Sequence, residues 1–335
     1  MFSVLLSLEL RGEIQPWVYP PKKLGFQYEH GPSLPAGMVY YSEGRFEVIE
    51  VDLKSFDVEV AAPEDNRTSL TTLELIKRNH GIAGINGGFW NASSLFSPFA
   101  GPDSIVVAHG SLLGDSLLPA PTIGWNSLGA VYGYVAIQHY LDIKMNGSAS
   151  VQVPLLDDDA VPDGILRKIF VDGGKVQPHG HRFKIDPRFS ENLDQYIGHR
   201  AEPRFRFINF DVNRPDSAWK DLDFAIAGNL ALVVEGKVAR FEPWQLNPIR
   251  GEDSSPRTGL CLNKYGRLLL AISVNSNIKQ FAEFLQNKAC QFAINLDGGP
   301  STTLFYENRF FSDYPLGYQG RSIHNAIIVV PKGER

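Results

Sequence analysis

The sequence predicts an α+β protein, built on a mixed, largely antiparallel sheet with a few helices packed against it. Three observations predict it. The first half reads as short apolar runs of period two between turn signals. Residues 254–274 have the form of a hairpin. A helix, a short strand and a pair of glycines follow one another twice, far apart in the chain.

The totals set the frame. The chain has 335 residues, 43% hydrophobic and 21% charged, with mean hydropathy -0.14. That is the composition of a folded, water-exposed protein with one large domain or two modest ones. Net charge is -5 and no Lys/Arg-rich block occurs, which excludes a broad nucleic-acid surface. Any anion must be bound by a few placed arginines and backbone N–H groups. No apolar run approaches the roughly 20 residues that span a bilayer, so no integral membrane segment is expected. The start, MFSVLLSLELRGE, lacks a basic leader region and a clear cleavage site. Three N-x-[ST] triplets, at Asn66, Asn91 and Asn146, matter only in a eukaryotic secretory pathway. Two cysteines, Cys261 and Cys290, exclude a disulfide framework and an all-cysteine metal cluster. Each lies in or beside an apolar run and reads first as a small buried hydrophobe, with a single bridge left open for an exported chain.

Along the chain, RFEVIEVDLKSFDVEVAA (45–62) alternates like strands about a turn at Lys54–Ser55. In 72–90, TLELIKRNHGIAGINGGFW begins as a helix. Thr71 and Glu74 form a capping box, Leu73 and Ile76 supply the apolar side, and His80-Gly81 ends it. A strand over 82–85 then runs into Asn86-Gly87-Gly88. SIVVAHGSLLG (104–114) is a strand, a His-Gly turn and a strand. Residues 155–223 are rich in Asp, Pro, Arg and His and read as a loop-rich insertion. SSPRTGLCLNKYGRLLLAISV (254–274) is a hairpin turning at 264–267, with Arg257 just ahead of its first strand. In 277–299 Asn277 caps a helix with a Phe281, Phe284, Leu285 stripe, and a strand ends in Asp297-Gly298-Gly299.

Asn-Gly and Asp-Gly are also ordinary turn dipeptides, and Val171-Asp172-Gly173-Gly174-Lys175 reads as such a turn. The first and last copies differ because they follow apolar strands, where glycines let a ligand approach the backbone. Asp297 is thus a carboxylate presented with room beside it. Arg257, held next to Pro256, and Arg321, in a loop before the last strand, together suit a phosphate or carboxylate clamp. A glycosidase needs a second carboxyl, and Glu283, Asp313, Glu307 and Asp103 are the candidates. For a phosphate leaving group the need for an acid falls, since arginines stabilise the departing anion. No G-x-S-x-G elbow, Walker loop or G-x-G-x-x-G is present. His179-Gly180-His181-Arg182 has no acidic partner at a metal spacing and reads as a loop.

Taken together, INGGFW, SPRTGL, NLDGGPSTTL and GRSIHNAIIVV resemble the phosphodiester glycosidase domain family, in the family's order and from about Ile82 to Val330. AIAGNLALVVEGKV fits its glycine-containing strand and turn as well. The resemblance implies hydrolysis of a glycosyl phosphodiester, such as an α-GlcNAc-1-phosphodiester, at the sugar–oxygen bond. It implicates Asp297, Arg257 and Thr258 as catalytic, with Asn86, Gly87, Gly88, Gly298, Gly299, Ser301, Thr302, Arg321 and Asn325 binding substrate. It also implies a catalytic domain over 81–332 with the strands of 1–80 packed on it, a role in exopolysaccharide or other carbohydrate metabolism, and an exported or cell-envelope location. The sequence requires no cofactor and leaves a divalent cation open. Departures from the family are Pro300 in place of a third glycine, Val274-Asn275-Ser276-Asn277 in place of Asp-Gly-Arg, and Gln280-Phe281-Ala282 in place of Glu-Leu-Ala. Two alternatives remain at this point: a non-catalytic glycan-binding module, and a phosphodiesterase whose Asp297 and Asn86 ligate a hard cation.

Overall fold

The computed structural model describes residues 36–64, 68–90, 104–114, 116, 118–145, 150–154, 164–165, 168–172, 175–177, 183–184, 199–211, 216–241, 254–306, 309–312 and 320–333. The sequon asparagines Asn66, Asn91 and Asn146, the His179–Arg182 run, Asp103, Glu307 and Asp313 lie outside these residues.

Three antiparallel sheets enclose one core. The first has seven strands, in the order Met38–Glu43, Phe46–Val51, Leu268–Ser276, Ser255–Asn263, Cys290–Asn295, Leu230–Val234 and Lys237–Val238. The second, of eight, is centred on Gly129–Lys144, between Arg200–Asn209 and Ala120–Asn126; Phe224–Ala227 and Val106–Ala108 follow. The third has five, in the order Arg309–Ser312, Thr303–Tyr306, Ala83–Asn86, Ala326–Pro331 and Phe56–Ala61. The two α-helices among the described residues, α1 (Thr72–Arg78) and α2 (Ile278–Asn287), lie on outer faces. The protein is therefore more strongly β, and more uniformly antiparallel, than the mixed sheet expected from sequence.

Strand periodicity explains the layering. Side chains alternate faces along a strand, so a strand apolar on both faces must be covered on both. In Leu268–Ser276, Leu268, Leu270 and Ile272 enter the shared core, while Leu269 and Ala271 face α2. In Ala326–Pro331, Ile327 and Val329 enter the same core, while Ala326, Ile328 and Val330 pack with Leu75 and Ile76 of α1. The indole N–H of Trp125 donates to the Val58 carbonyl at 2.7 Å, tying the eight-stranded sheet to the five-stranded one.

Both helix starts are as the sequence implies. Thr71 accepts from the Glu74 N–H at 3.2 Å and Glu74 accepts from the Thr71 N–H at 2.8 Å, a complete capping box. Leu75, rather than Leu73, is buried beside Ile76. Asn277 and Gln280 form a second box. The His-Gly turn of 104–114 is present, with His109 and Gly110 at φ 47° and 71°.

Three local readings change. Arg200–Asn209, inside the stretch read as loops, is a ten-residue strand paired along Gly129–Lys144. Its Pro203 and its charged residues hide the strand pattern from a sequence scan. Arg257 and Thr258 stand within the Ser255–Asn263 strand instead of ahead of it. A register shift between Ser255 and Arg257 accommodates Pro256, which has no N–H for the ladder. Finally, Cys261 and Cys290 are joined by a disulfide with Cα atoms 5.8 Å apart. Both are fully buried, as expected, but they sit on neighbouring strands whose pairing no local pattern reveals.

Candidate active site

Five strands approach one place, and Asn86, at the end of one, bonds to residues in or next to three others. It is the last residue of Ala83–Asn86 and is fully buried. Its side-chain oxygen accepts from the Thr258 hydroxyl at 2.9 Å and from the Thr303 N–H at 3.0 Å. Its amide nitrogen donates to the Asp297 carbonyl at 2.7 Å. One amide thus pins the loop after Cys290–Asn295 to the Ser255–Asn263 strand and to the start of Thr303–Tyr306. The Thr258 hydroxyl lies 3.3 Å from that of Thr302. The Asn86 oxygen, which the phosphodiesterase alternative would offer to a cation, thus already accepts two hydrogen bonds.

The start of the fifth strand is gripped by Gly87-Gly88. The Gly87 N–H donates to the Asn325 carbonyl at 2.9 Å, and the Gly88 N–H donates to Asn325 Oδ1 at 2.8 Å. A Cβ on Gly87 would lie 1.8 Å from Asn325 Oδ1 and 2.7 Å from its carbonyl oxygen, so only glycine fits. Asn325 is 1% exposed, and its Nδ2 has no partner among the described residues. Buried donors are normally satisfied, so this one is suited to an incoming oxygen.

Asp297 follows the Leu296 N–H, which bonds to the Thr258 carbonyl at 2.9 Å. Gly299, at φ +57°, opens the short 3-10 turn Gly299–Ser301, and the loop returns to Thr303. Burial pushes the Asp297 pKa above the ordinary carboxylate value. Hydrogen bonds from the Ser301 side chain and the Gly298 backbone, and the charge of Arg321, pull the other way without cancelling it. Arg321 is half-buried, its Nη1 is 3.4 Å from Ser301 Oγ, and its guanidinium lies 5.3 Å from the centre of the Trp90 ring. Arg257, 8% exposed, donates through Nε to the Ser276 carbonyl at 3.2 Å. A Cβ on Gly298 would lie 3.8 Å from Arg257 Cα, which places Arg257 against the Asp297 loop.

The structure therefore brings Asn86–Gly88, Arg257, Thr258, Asp297–Gly299, Ser301, Thr302, Arg321 and Asn325 together, but in two layers. Asn86, Thr258 and Thr302 are fully buried and bonded to one another or to backbone, so they hold the loops. Asp297, Gly298, Gly299 and Arg321 reach partial exposure. Glu283 is not at this site: it is exposed on α2, with Lys279 at 4.0 Å. Two residues escaped the sequence reading. They are Trp90 and His324: Trp90 carries Arg321, and the His324 ring lies tilted against it at 51°, with ring centroids 4.6 Å apart. Trp90 stands two residues after Gly88 and His324 directly before Asn325, so the aromatics flanking the glycine loop and the asparagine were the available signal.

Residues 169–330 match the phosphodiester glycosidase family. That span contains Arg257, Asp297, Arg321 and Asn325, while Asn86 to Gly88 precede it. The family is the one that the four motifs resemble. Of the residues noted above as departures from the resemblance, Asn277 and Gln280 cap α2 and Phe281 is fully buried. Among solved structures, the chain is similar to a hypothetical protein from Synechocystis, at 14% identity and TM-score 0.59, covering 89% of this chain and 60% of that one. It thus spans less than two thirds of that relative's length. It is also similar to a putative exported protein from Burkholderia pseudomallei, at 15% identity and TM-score 0.57, covering 88% of this chain and 74% of that one. The zebrafish N-acetylglucosamine-1-phosphodiester α-N-acetylglucosaminidase catalytic domain, auto-inhibited by its pro-peptide, gives 16% identity and TM-score 0.48, covering 92% of this chain and 87% of that one. The likeness of fold rests on the first two. No curated protein matches the chain.

Proposed function

We propose that the chain hydrolyses a glycosyl phosphodiester at the sugar–oxygen bond, using Asp297. The observation that carries this reading is the pairing of a carboxyl held above its ordinary pKa with a guanidinium, Arg321, at the mouth of a glycine-rich loop. A raised carboxyl suits proton transfer or attack at carbon, and a neighbouring arginine suits a phosphate. Arg321, with Arg257 across Gly298, holds the phosphodiester. Asp297 acts as base toward water or as nucleophile at the anomeric carbon. The phosphate leaves as a stable anion whose charge the arginines bear, which reduces the need for a second carboxyl. Asn325 Nδ2 is the donor placed for a substrate oxygen, and Trp90 holds Arg321 in direction. Asn86, Thr258 and Thr302 keep these groups in register. The buried Cys261–Cys290 bridge supports an oxidising compartment such as the cell exterior or envelope.

The test is hydrolysis of UDP-N-acetylglucosamine and of a simple α-GlcNAc-1-phosphodiester in heavy-oxygen water, by wild type and Asp297→Ala. Label is expected in the freed sugar, with the rate falling roughly a hundredfold or more in the variant. Label in the phosphate, or full activity without Asp297, overturns the reading.

A further inference from the structure

A second site lies where the seven- and eight-stranded sheets meet. A cavity of about 270 Å³ is lined by Tyr132, Tyr134, Phe210, Phe292, Asp211 and Glu235, among others. Tyr132 and Tyr134, two apart on one strand, project from the same face. The Phe210 N–H donates to the Tyr134 carbonyl at 2.9 Å, which sets Phe210 beside that tyrosine. Phe292 forms the floor, 1% exposed, with Tyr132 stacked on it at 4.8 Å and Tyr134 edge-on at 6.3 Å. Tyr134 and Phe210 remain 39% and 53% exposed. Glu235 stands at the rim in the left-handed region, φ +50°, where a turn between Leu230–Val234 and Lys237–Val238 holds it.

We infer that this cavity is a carbohydrate-binding site, distinct from the Asp297 loop, that takes a neutral pyranose unit. Neighbouring rings open to water offer flat apolar surface to the C–H face of a sugar, while carboxylates accept from its hydroxyls. An aliphatic chain would make no hydrogen bond to the exposed Glu235 at the rim, and an anion would be repelled by it. The volume is that of a single sugar ring rather than a polymer segment. Phe292 lies five residues before Asp297, roughly 16 Å along an extended strand, so one monosaccharide does not touch both sites. The inference stands apart from the catalytic reading, because it concerns binding alone.

The test is chemical-shift and saturation-transfer NMR on the full chain, titrated with chitotetraose, maltotetraose and, as a cation probe, choline chloride. Saturable binding of at least one tetrasaccharide is expected, weakened roughly threefold to tenfold by Tyr134→Ala and by Phe210→Ala. Glu235→Gln, which keeps the shape and removes the charge, weakens it too and serves if a ring truncation fails to fold. Asp297→Ala leaves it unchanged. Failure of both tetrasaccharides to bind overturns the inference. So does binding that is lost in Asp297→Ala but indifferent to Tyr134 and Glu235. Tighter binding of choline than of either sugar, with the same sensitivity to the variants, also overturns it and makes the rings a cation cage.

Discussion

Replacing Asn86 by alanine removes four hydrogen bonds with one change, the longest of them a 3.4 Å bond to the Gly87 carbonyl. The Thr303 N–H is buried and loses its side-chain acceptor, and the part-buried Asp297 carbonyl loses an amide donor. The Thr258 hydroxyl is better off, since Thr302 Oγ is already 3.3 Å away. An orphaned buried group costs roughly 1–3 kcal/mol, and a part-buried one less, so the variant is expected to lose about 2–4 kcal/mol. Against a typical total of roughly 5–15 kcal/mol this is a large fraction. Urea unfolding followed by tryptophan fluorescence measures it, as a fall in midpoint at constant slope. Asn86→Asp is the sharper companion. It keeps an acceptor for Thr258 and Thr303 but sets a carboxylate oxygen against the Asp297 carbonyl, where the amide donated. Burial raises that carboxyl's pKa, so its cost is greatest at neutral pH and shrinks as the pH falls and the protonated group can donate. A loss under about 1 kcal/mol for Asn86→Ala, or an Asn86→Asp variant as stable as wild type at pH 7, would refute the three-way role.

Other outcomes follow from the same geometry. Gly87→Ala forces a Cβ into Asn325, breaking the clamp on both its carbonyl and its Oδ1; a loss of about 2–4 kcal/mol is expected by urea unfolding, and an unchanged midpoint would mean the loop relaxes freely. The Cys261–Cys290 bridge closes 29 residues of sequence separation, worth roughly 3–4 kcal/mol in the unfolded chain. Adding a reductant is expected to lower the urea midpoint, yet leave the folded chain oxidised because both sulfurs are fully buried; rapid reduction of the folded chain, read by mass after alkylation, would contradict that. For Asp297 the sign is set by burial. A carboxyl with a raised pKa favours the fold below its unfolded value, near 3.9, and that contribution is lost as the pH rises through the folded value. Asp297→Asn is therefore expected to melt above wild type at pH 7, with the advantage vanishing in acid. Melting below wild type at every pH would mean that the Ser301 and Arg321 contacts outweigh burial.

By itself the sequence determined the features that reside within a few residues of chain. The Thr71–Glu74 box, the Asn277 cap, the His109-Gly110 turn and the hairpin about 264–267 are all local, because capping and turn chemistry act over two to four residues. The glycine pairs after apolar strands marked the loops of the site for the same reason. What those loops do to one another was settled only in three dimensions. The bonds of Asn86 to Thr258, Asp297 and Thr303 span 172, 211 and 217 residues, and no periodicity carries information across such distances. Strand pairing made a disulfide of two cysteines that read first as small buried hydrophobes, with a bridge between them left open. It drew Arg257 into a strand and turned the Pro- and Arg-bearing Arg200–Asn209 into sheet. It also left Glu283 on the outer side of α2 and gathered four separate aromatics around one cavity. The sequence names the side chains that carry chemistry; burial and register, which follow from the packing of three sheets on one core, decide which of them hold the site and which face a ligand.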